Sequence, residues 1–482
     1  MILCVILLMY FSVCCGNPNI NVETDYDVVI IGGGISGLYT AYRLSRDTNY
    51  KIALYDKNHK LGGRMSIGKI NDHLSEYGHM KFESGLQRRM MKLLYELELD
   101  TIPIKPFNRI DLLPNINNLY SDEVQIYKEY KKKSSDIPLE ILFTKHALTL
   151  ILEEQWDFHS ARIDKDVNNR EEKKKLLRKH GKFQQQYLYM FGIMDLFKKV
   201  LSEECLKFIL EKGNSRYMID KNPNAAEHIS ILIDMIDSYN WDLISIKGGT
   251  IMIIHKLYKK IREHVSIHTE HQLVEIEPIK KGVTCLHFAN KRKTFCKHLI
   301  LTPPPLALYN IKGLPRNIYK LIKSSFVHIK LVNIYIVIEN PPDITNTKHD
   351  LEKLLHCQEI NFILNKPKHK GIFMLNVDEN LIIKTPIESY IYNVEQILRQ
   401  YFSQNLDWKI SMYKINNWGD TNIYFWKAGI NCEQVLNQVS SFSLYTNYQN
   451  YVHICGESLS NFQSFIEGAL SSVETITEKI IS

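Results

Sequence analysis

Asp27-Val28-Val29-Ile30-Ile31-Gly32-Gly33-Gly34-Ile35-Ser36-Gly37-Leu38-Tyr39-Thr40-Ala41-Tyr42-Arg43-Leu44 decides the fold. Asp27 to Ile31 reads as a buried parallel strand, because four consecutive β-branched residues leave no face for water. Gly32, Gly34 and Gly37 follow at the G-x-G-x-x-G spacing as strand gives way to helix. Gly32 permits the tight turn, Gly34 lets backbone approach a pyrophosphate, and Gly37 lets the helix pack closely on the strand. The N–H groups of the first helical turn, around Ser36, then face the phosphates. A second strand, Lys51-Ile52-Ala53-Leu54-Tyr55, ends in Asp56. A carboxylate about twenty residues past the glycines is placed to accept from the adenosine ribose.

Leu61-Gly62-Gly63-Arg64-Met65 narrows the dinucleotide, since a Gly-Gly-Arg so soon after the acidic residue is foreign to the nicotinamide pattern. With it, the chain resembles the flavin-containing amine oxidases, and the resemblance implies FAD. It returns four hundred residues later in His453-Ile454-Cys455-Gly456-Glu457 and in Ser464-Phe465-Ile466-Glu467-Gly468-Ala469. In that family the C-terminal segment closes the flavin site, which implies roles for Glu457 and Ile466. The fold expected is α/β, a Rossmann-like FAD-binding domain interleaved with an α+β substrate-binding domain.

The chain of 482 residues, 45% hydrophobic, is long enough for two domains with large cores. Sixty basic against 53 acidic residues give a formal net charge of only +7. The runs Lys131-Lys132-Lys133 and Glu171 to Lys175 lack interleaved aromatics, so no nucleic-acid partner is expected. Residues 1–16 read as a signal peptide: the apolar run from Ile2 to Cys15 is short for a membrane span and ends near small residues. The expectation is a secreted or lumenal protein, with an uncleaved membrane anchor as the alternative. The nine cysteines are scattered without C-x-x-C pairs or metal-ligand spacing, so no metal is expected and buried thiols are the simpler reading.

The interleaving is read as FAD-binding parts at 25–85, 241–310 and 416–482, with substrate-domain parts at 86–240 and 311–415. Helical periodicity begins at Arg88-Arg89-Met90-Met91-Lys92-Leu93-Leu94. Leu273, in a short strand, matches the family position whose backbone receives the adenine. His298 to Leu301, followed by Thr302-Pro303, resembles the family's second parallel strand.

Glu76-Tyr77-Gly78-His79-Met80-Lys81 resembles the L-G-x-M-R segment of secreted L-amino-acid oxidases. The resemblance sets Gly78 and Met80 beside the flavin and puts Lys81 where an arginine pairs with a substrate carboxylate. Lysine keeps the charge and loses the bidentate fork. In Val332-Asn333-Ile334-Tyr335, Asn333 stands where relatives have a lysine near flavin N5, and Lys330 points to the opposite strand face. Asn417-Trp418-Gly419 resembles the turn beside the isoalloxazine; Tyr424, Phe425, Trp426 and Phe465 stand where relatives place pocket aromatics. The reaction implied is oxidation of the C–N bond of an L-amino acid or related amine, with hydride passing to the flavin and O2 reduced to H2O2. A homodimer is allowed. The alternative, motivated by Asn333, is a catalytically impaired flavin-binding relative serving as a binding or structural protein.

Overall fold

The computed structural model describes residues 23–70, 73–76, 78, 82–85, 87–104, 113–133, 137–159, 167–212, 221–237, 243–280, 282–340, 359–365, 370–401, 407–419, 423–444 and 451–481. In chain order, β1 (Tyr26–Ile31), α1 (Ile35–Asp47) and β2 (Ile52–Tyr55) form the opening unit, followed by the hairpin β3 (Ile67–Ile70) and β4 (His73–Glu76). Next come β5 (Phe82–Glu83), α2 (Arg88–Glu96) and β6 (Thr101–Pro103). A helical section then includes Leu139–Leu152, Ile193–Val200 and Ala225–Asp237. The chain continues through β7 (Leu243–Ile246), α3 (Ile251–Ile261), β8 (Val265–His268), β9 (Leu273–Lys280), β10 (Val283–Phe288) and β11 (Lys293–Leu301). β12 (Phe326–Ile329), β13 (Leu331–Glu339), β14 (Glu359–Asn365) and β15 (Lys370–Asp378) follow, then the helix Ile387–Tyr401, β16 (Lys409–Asn417) and β17 (Ile423–Trp426). β18 (Tyr451–Ile454) and α4 (Ile466–Ile481) end the order.

The central sheet runs β8-β2-β1-β11-β10-β9, with β18 also on β11. β1 pairs in parallel with both β2 and β11, and its residues from Val28 on are at most 6% exposed. Burial on both faces explains the unbroken apolar run. Alternate side chains feed two cores. Val28 and Ile30 pack with Leu38, Ala41 and Leu44 of α1 and with α4, whereas Val29 and Ile31 pack with Leu273, Leu286 and Leu299 beneath the sheet. β11 divides its free edge: Thr294 to Cys296 take part in an antiparallel ladder with β10, and His298 to Leu301 pair in parallel with β18.

The helical section has its own core, including Phe143, Leu148, Phe197 and Ile229. A second, four-stranded antiparallel sheet runs β14-β15-β13-β16. On β13, Ile334, Ile336 and Ile338 pack under the helix Ile387–Tyr401 through Val394 and Leu398. The period of two therefore sends Asn333, Tyr335 and Val337 to the opposite face, where Tyr335 and Val337 meet Ile70 of β3. No helix among the described residues is long and apolar enough to cross a membrane. Residues 1–16, Met80, Lys81, Trp241 and Asp242 lie outside the described residues.

Candidate functional site

A cavity of about 440 Å³ opens above the C-terminal ends of β1, β2 and β11 and runs to the face of β13 and β15. Its first end is built by the glycine turn. Gly32 has φ +107°, which only glycine adopts without strain, and its N–H donates to the Tyr55 carbonyl (2.8 Å). A Cβ on Gly37 would collide with the Gly32 carbonyl oxygen, so α1 reaches the strand only because that position is bare. Gly34 and Gly63 face each other at the cavity wall and bring the first turn against the Gly62-Gly63-Arg64 turn. Ile35 and Ser36, the first residues of α1, line the cavity with their orphan helical N–H groups.

Asp56 is 7% exposed. Its Oδ2 accepts from the Gly33 N–H (2.6 Å) and its Oδ1 from the Asn58 N–H (2.7 Å). A carboxylate offers about four acceptor sites, so two remain for ribose hydroxyls. Leu273 opens β9 at the same end, 5% exposed and flanked by His271 and Gln272. Nearer the middle, Arg64 Nη2 donates to Glu457 Oε2 (2.8 Å), and Glu457 Oε1 accepts from the Ser464 N–H. Glu457 is 6% exposed and Arg64 37%, so the guanidinium keeps a free edge toward the cavity while its charge is oriented from below. Gly78 lines this section. Glu76 behind it accepts from the Thr250 N–H and hydroxyl; burial raises its carboxyl above the ordinary carboxylate range, and these hydrogen bonds partly offset that. Cys455 also borders the cavity, its thiol pushed up to about 12 by burial.

Among the described residues, the far end is uncharged and partly aromatic. Asn333, 6% exposed, stands in register between Asn376 of β15 and Asn416 of β16, giving three amides in a row across adjacent strands. Its Nδ2 donates weakly to Tyr335 Oη (3.4 Å), and Tyr335 Oη donates to the Glu76 carbonyl (3.1 Å). Asn333, Met374, Asn376, Trp418, Ile423 and Phe465 line this end. Phe465 packs on Phe462 (centroids 4.8 Å apart), and Ile466 follows at the start of α4. Lys330 points away, 46% exposed and paired with Glu379 (3.2 Å).

The structure thus gathers Gly32, Gly34, Ser36, Asp56, Gly63, Arg64, Gly78, Leu273, Asn333, Trp418, Glu457, Phe465 and Ile466 around one cavity. Gly37 stands just behind it as a packing residue. Met80 and Lys81 lie outside the described residues. One expectation is corrected. Tyr424, Phe425 and Trp426 are 1–2% exposed and do not line the cavity, because β17 is clamped between β12 and the C-terminal segment. Trp426 Nε1 donates to the Ser460 carbonyl (3.0 Å) and its N–H to Gln463 Oε1 (2.7 Å), which fixes it as core; only Ile423 of that strand reaches the cavity. Glu457 accepts from Arg64 Nη2 and from the Ser464 N–H, which ties the C-terminal segment to the Gly62-Gly63-Arg64 turn. The β9–β10 hairpin brings Glu277, Cys285 and His287 together, a grouping that cysteine spacing along the chain does not show. Met374 and Asn376 were missed, because their place depends on β15 pairing with β13 rather than on any local motif.

Residues 30–97 match the model of an NAD(P)-binding Rossmann-like domain. Solved structures of putrescine oxidase superpose along nearly the whole chain. One, a double mutant made in a redesign of cofactor binding, has a TM-score of 0.63 at 15% identity and covers 95% of this chain and 99% of that one. The wild-type enzyme bound to putrescine has a TM-score of 0.58 at 14% identity, with 95% and 99% covered. The chain has the putrescine oxidase fold. An uncharacterized protein of Acanthamoeba polyphaga mimivirus is 31% identical over 105 residues, a match that spans 21% of this chain and 20% of that protein. Within the putrescine oxidase fold, the groups at the first end of the cavity fit an adenine dinucleotide: backbone amides and Arg64 as donors to phosphates, Asp56 as acceptor for ribose hydroxyls.

Proposed function

We propose that the chain is an FAD-dependent amine oxidase acting on the C–N bond of an L-amino acid or a related amine. The observation that carries this reading is the continuity of one cavity from the Gly32–Asp56 turn to the Asn333–Phe465 wall. The residues at the first end would hold the dinucleotide, and those at the second would border the substrate. When bound, FAD supplies hydride acceptance and reoxidation by O2. The chain's own residues do the rest. The α1 N-terminus and Arg64 would hold the phosphates and Asp56 the ribose, while Trp418 and Phe465 would exclude water and restrict the substrate's orientations. Lys81 supplies positive charge for a substrate carboxylate; if its side chain is turned elsewhere, a simple amine is the better candidate.

The interleaved two-domain division and a signal-directed secretory location belong to the same proposal. A second reading is favoured by Asn333. An amide donates a hydrogen bond but brings no positive charge to offset the negative charge that develops as reduced flavin meets oxygen. In that reading the protein is a catalytically impaired flavin-binding relative that serves as a binding or structural protein.

The test is to purify the protein, record its flavin absorbance, and add L-amino acids, monoamines and diamines without oxygen before readmitting air. Bleaching by amino acids and peroxide on aeration support the first reading. Bleaching that persists in air keeps the enzyme but with another electron acceptor, a stably yellow protein that nothing in the panel reduces supports the second reading, and a colourless protein that takes up no FAD overturns both.

A further inference from the structure

The edge of the central sheet carries a second group of chemically capable side chains, apart from the cavity. β9 and β10 are antiparallel, with Glu277 opposite Cys285 and Glu275 opposite His287. Cys285 and His287 are two apart on one strand, so they share a face with the two glutamates, while Ile276 and Leu286 point into the core below. The donor atoms of Glu277, Cys285 and His287 all lie within 4.8 Å of one another. His287 Nε2 and Glu277 Oε2 are already in contact at 2.7 Å.

We propose that Glu277, Cys285 and His287 bind a zinc-class divalent transition metal. One thiolate, one imidazole and one carboxylate are the donor types such an ion takes, with bonds of about 2.0–2.3 Å. A water completes four-coordination. On binding, the Cys285 S–H bond breaks, its proton leaves to solvent and an S–metal bond forms; His287 gives up its hydrogen bond with Glu277 and binds through neutral Nε2. The surrounding field suits a cation: Glu277, Asp25 and Glu275 all act on the Cys285 thiol, against Lys293. Glu277 is half exposed and gives an entry side, whereas Cys285 is 1% exposed at the base. The ion would pin the β9–β10 hairpin, whose first residue, Leu273, lines the cavity.

The test uses the full chain without a polyhistidine tag, cleared of metal and titrated with cobalt(II), then zinc(II). The expected result is one equivalent of cobalt with a thiolate-to-cobalt charge-transfer band that zinc abolishes. Cys285→Ser removes the band, and His287→Ala, at a partly exposed position, weakens affinity at least about tenfold with unchanged far-ultraviolet circular dichroism. If Cys285→Ser misfolds, His287→Ala and Glu277→Gln carry the test. Absence of the band, or a band whose affinity is unchanged in His287→Ala, overturns the proposal.

Discussion

Arg64 and Glu457, 393 positions apart in the chain, meet in a hydrogen-bonded ion pair of 2.8 Å at the middle of the cavity. The Gly-Gly-Arg turn and the C-terminal segment are therefore one device: the buried carboxylate orients a guanidinium whose outer edge faces the ligand. A charge-assisted hydrogen bond of this kind contributes about 1.5–3 kcal/mol, and partial exposure of Arg64 argues for the lower end. Glu457→Gln is expected to weaken FAD binding roughly tenfold, equal to about 1.4 kcal/mol. Titration of apoprotein with FAD, followed by flavin fluorescence, measures it. Unchanged affinity would show that Arg64 needs no orienting.

Gly37→Ala is expected to lose cofactor binding and to destabilise the fold by about 1–3 kcal/mol, because the added Cβ meets the Gly32 carbonyl oxygen rather than a flexible side chain. Urea unfolding of the apoprotein measures the stability. An alanine variant as stable as the parent would mean that α1 can shift without cost.

Asn333→Lys tests the neutral wall. The position is 6% exposed beside Tyr335 and Met374, so burial opposes the charged lysine and the apoprotein is expected to melt lower. If Asn333 borders the flavin, reoxidation of reduced protein by air is expected to quicken at least about tenfold. Rapid-mixing absorbance decides, and an unaltered rate would place Asn333 away from the reacting edge.

The turn, the first two strands and the Asp56 position were legible because they are local: strand, glycine spacing and acidic residue occur within thirty positions. The orientation of Asn333 was legible for a related reason, since alternation along β13 assigns its face once Lys330 is assigned the other. What the sequence concealed depends on pairing between distant strands. Tyr424 to Trp426 lie close to Trp418 in sequence, yet β12 captures their strand and turns them into core. Asn376, Glu277 and His287 acquire their neighbours only through ladder register, which spacing along one strand does not encode.

Acid is expected to destabilise the protein through buried histidines. Burial lowers His453 to about 3, and His159 and His228 to about 4, from an ordinary value near 6.5. Their folded values are depressed, so the unfolded chain binds more protons below pH 6.5. Stability is fully present above that pH and is lost as pH falls toward the folded values, at about 1.4 kcal/mol per pH unit for each histidine. Urea midpoints at pH 7, 6 and 5 measure the slope, which His453→Gln is expected to reduce. An unchanged slope would remove His453 from the account.

Asparagine neither gains nor loses a proton in water at any pH a protein survives. The Asn333 and Asn376 amides on the cavity wall therefore present the same electrostatic face to a ligand at acidic and at neutral pH. Acidity would reach chemistry at that wall by way of the visiting molecule's own ionisation or groups farther off, leaving this part of the enclosure a fixed background.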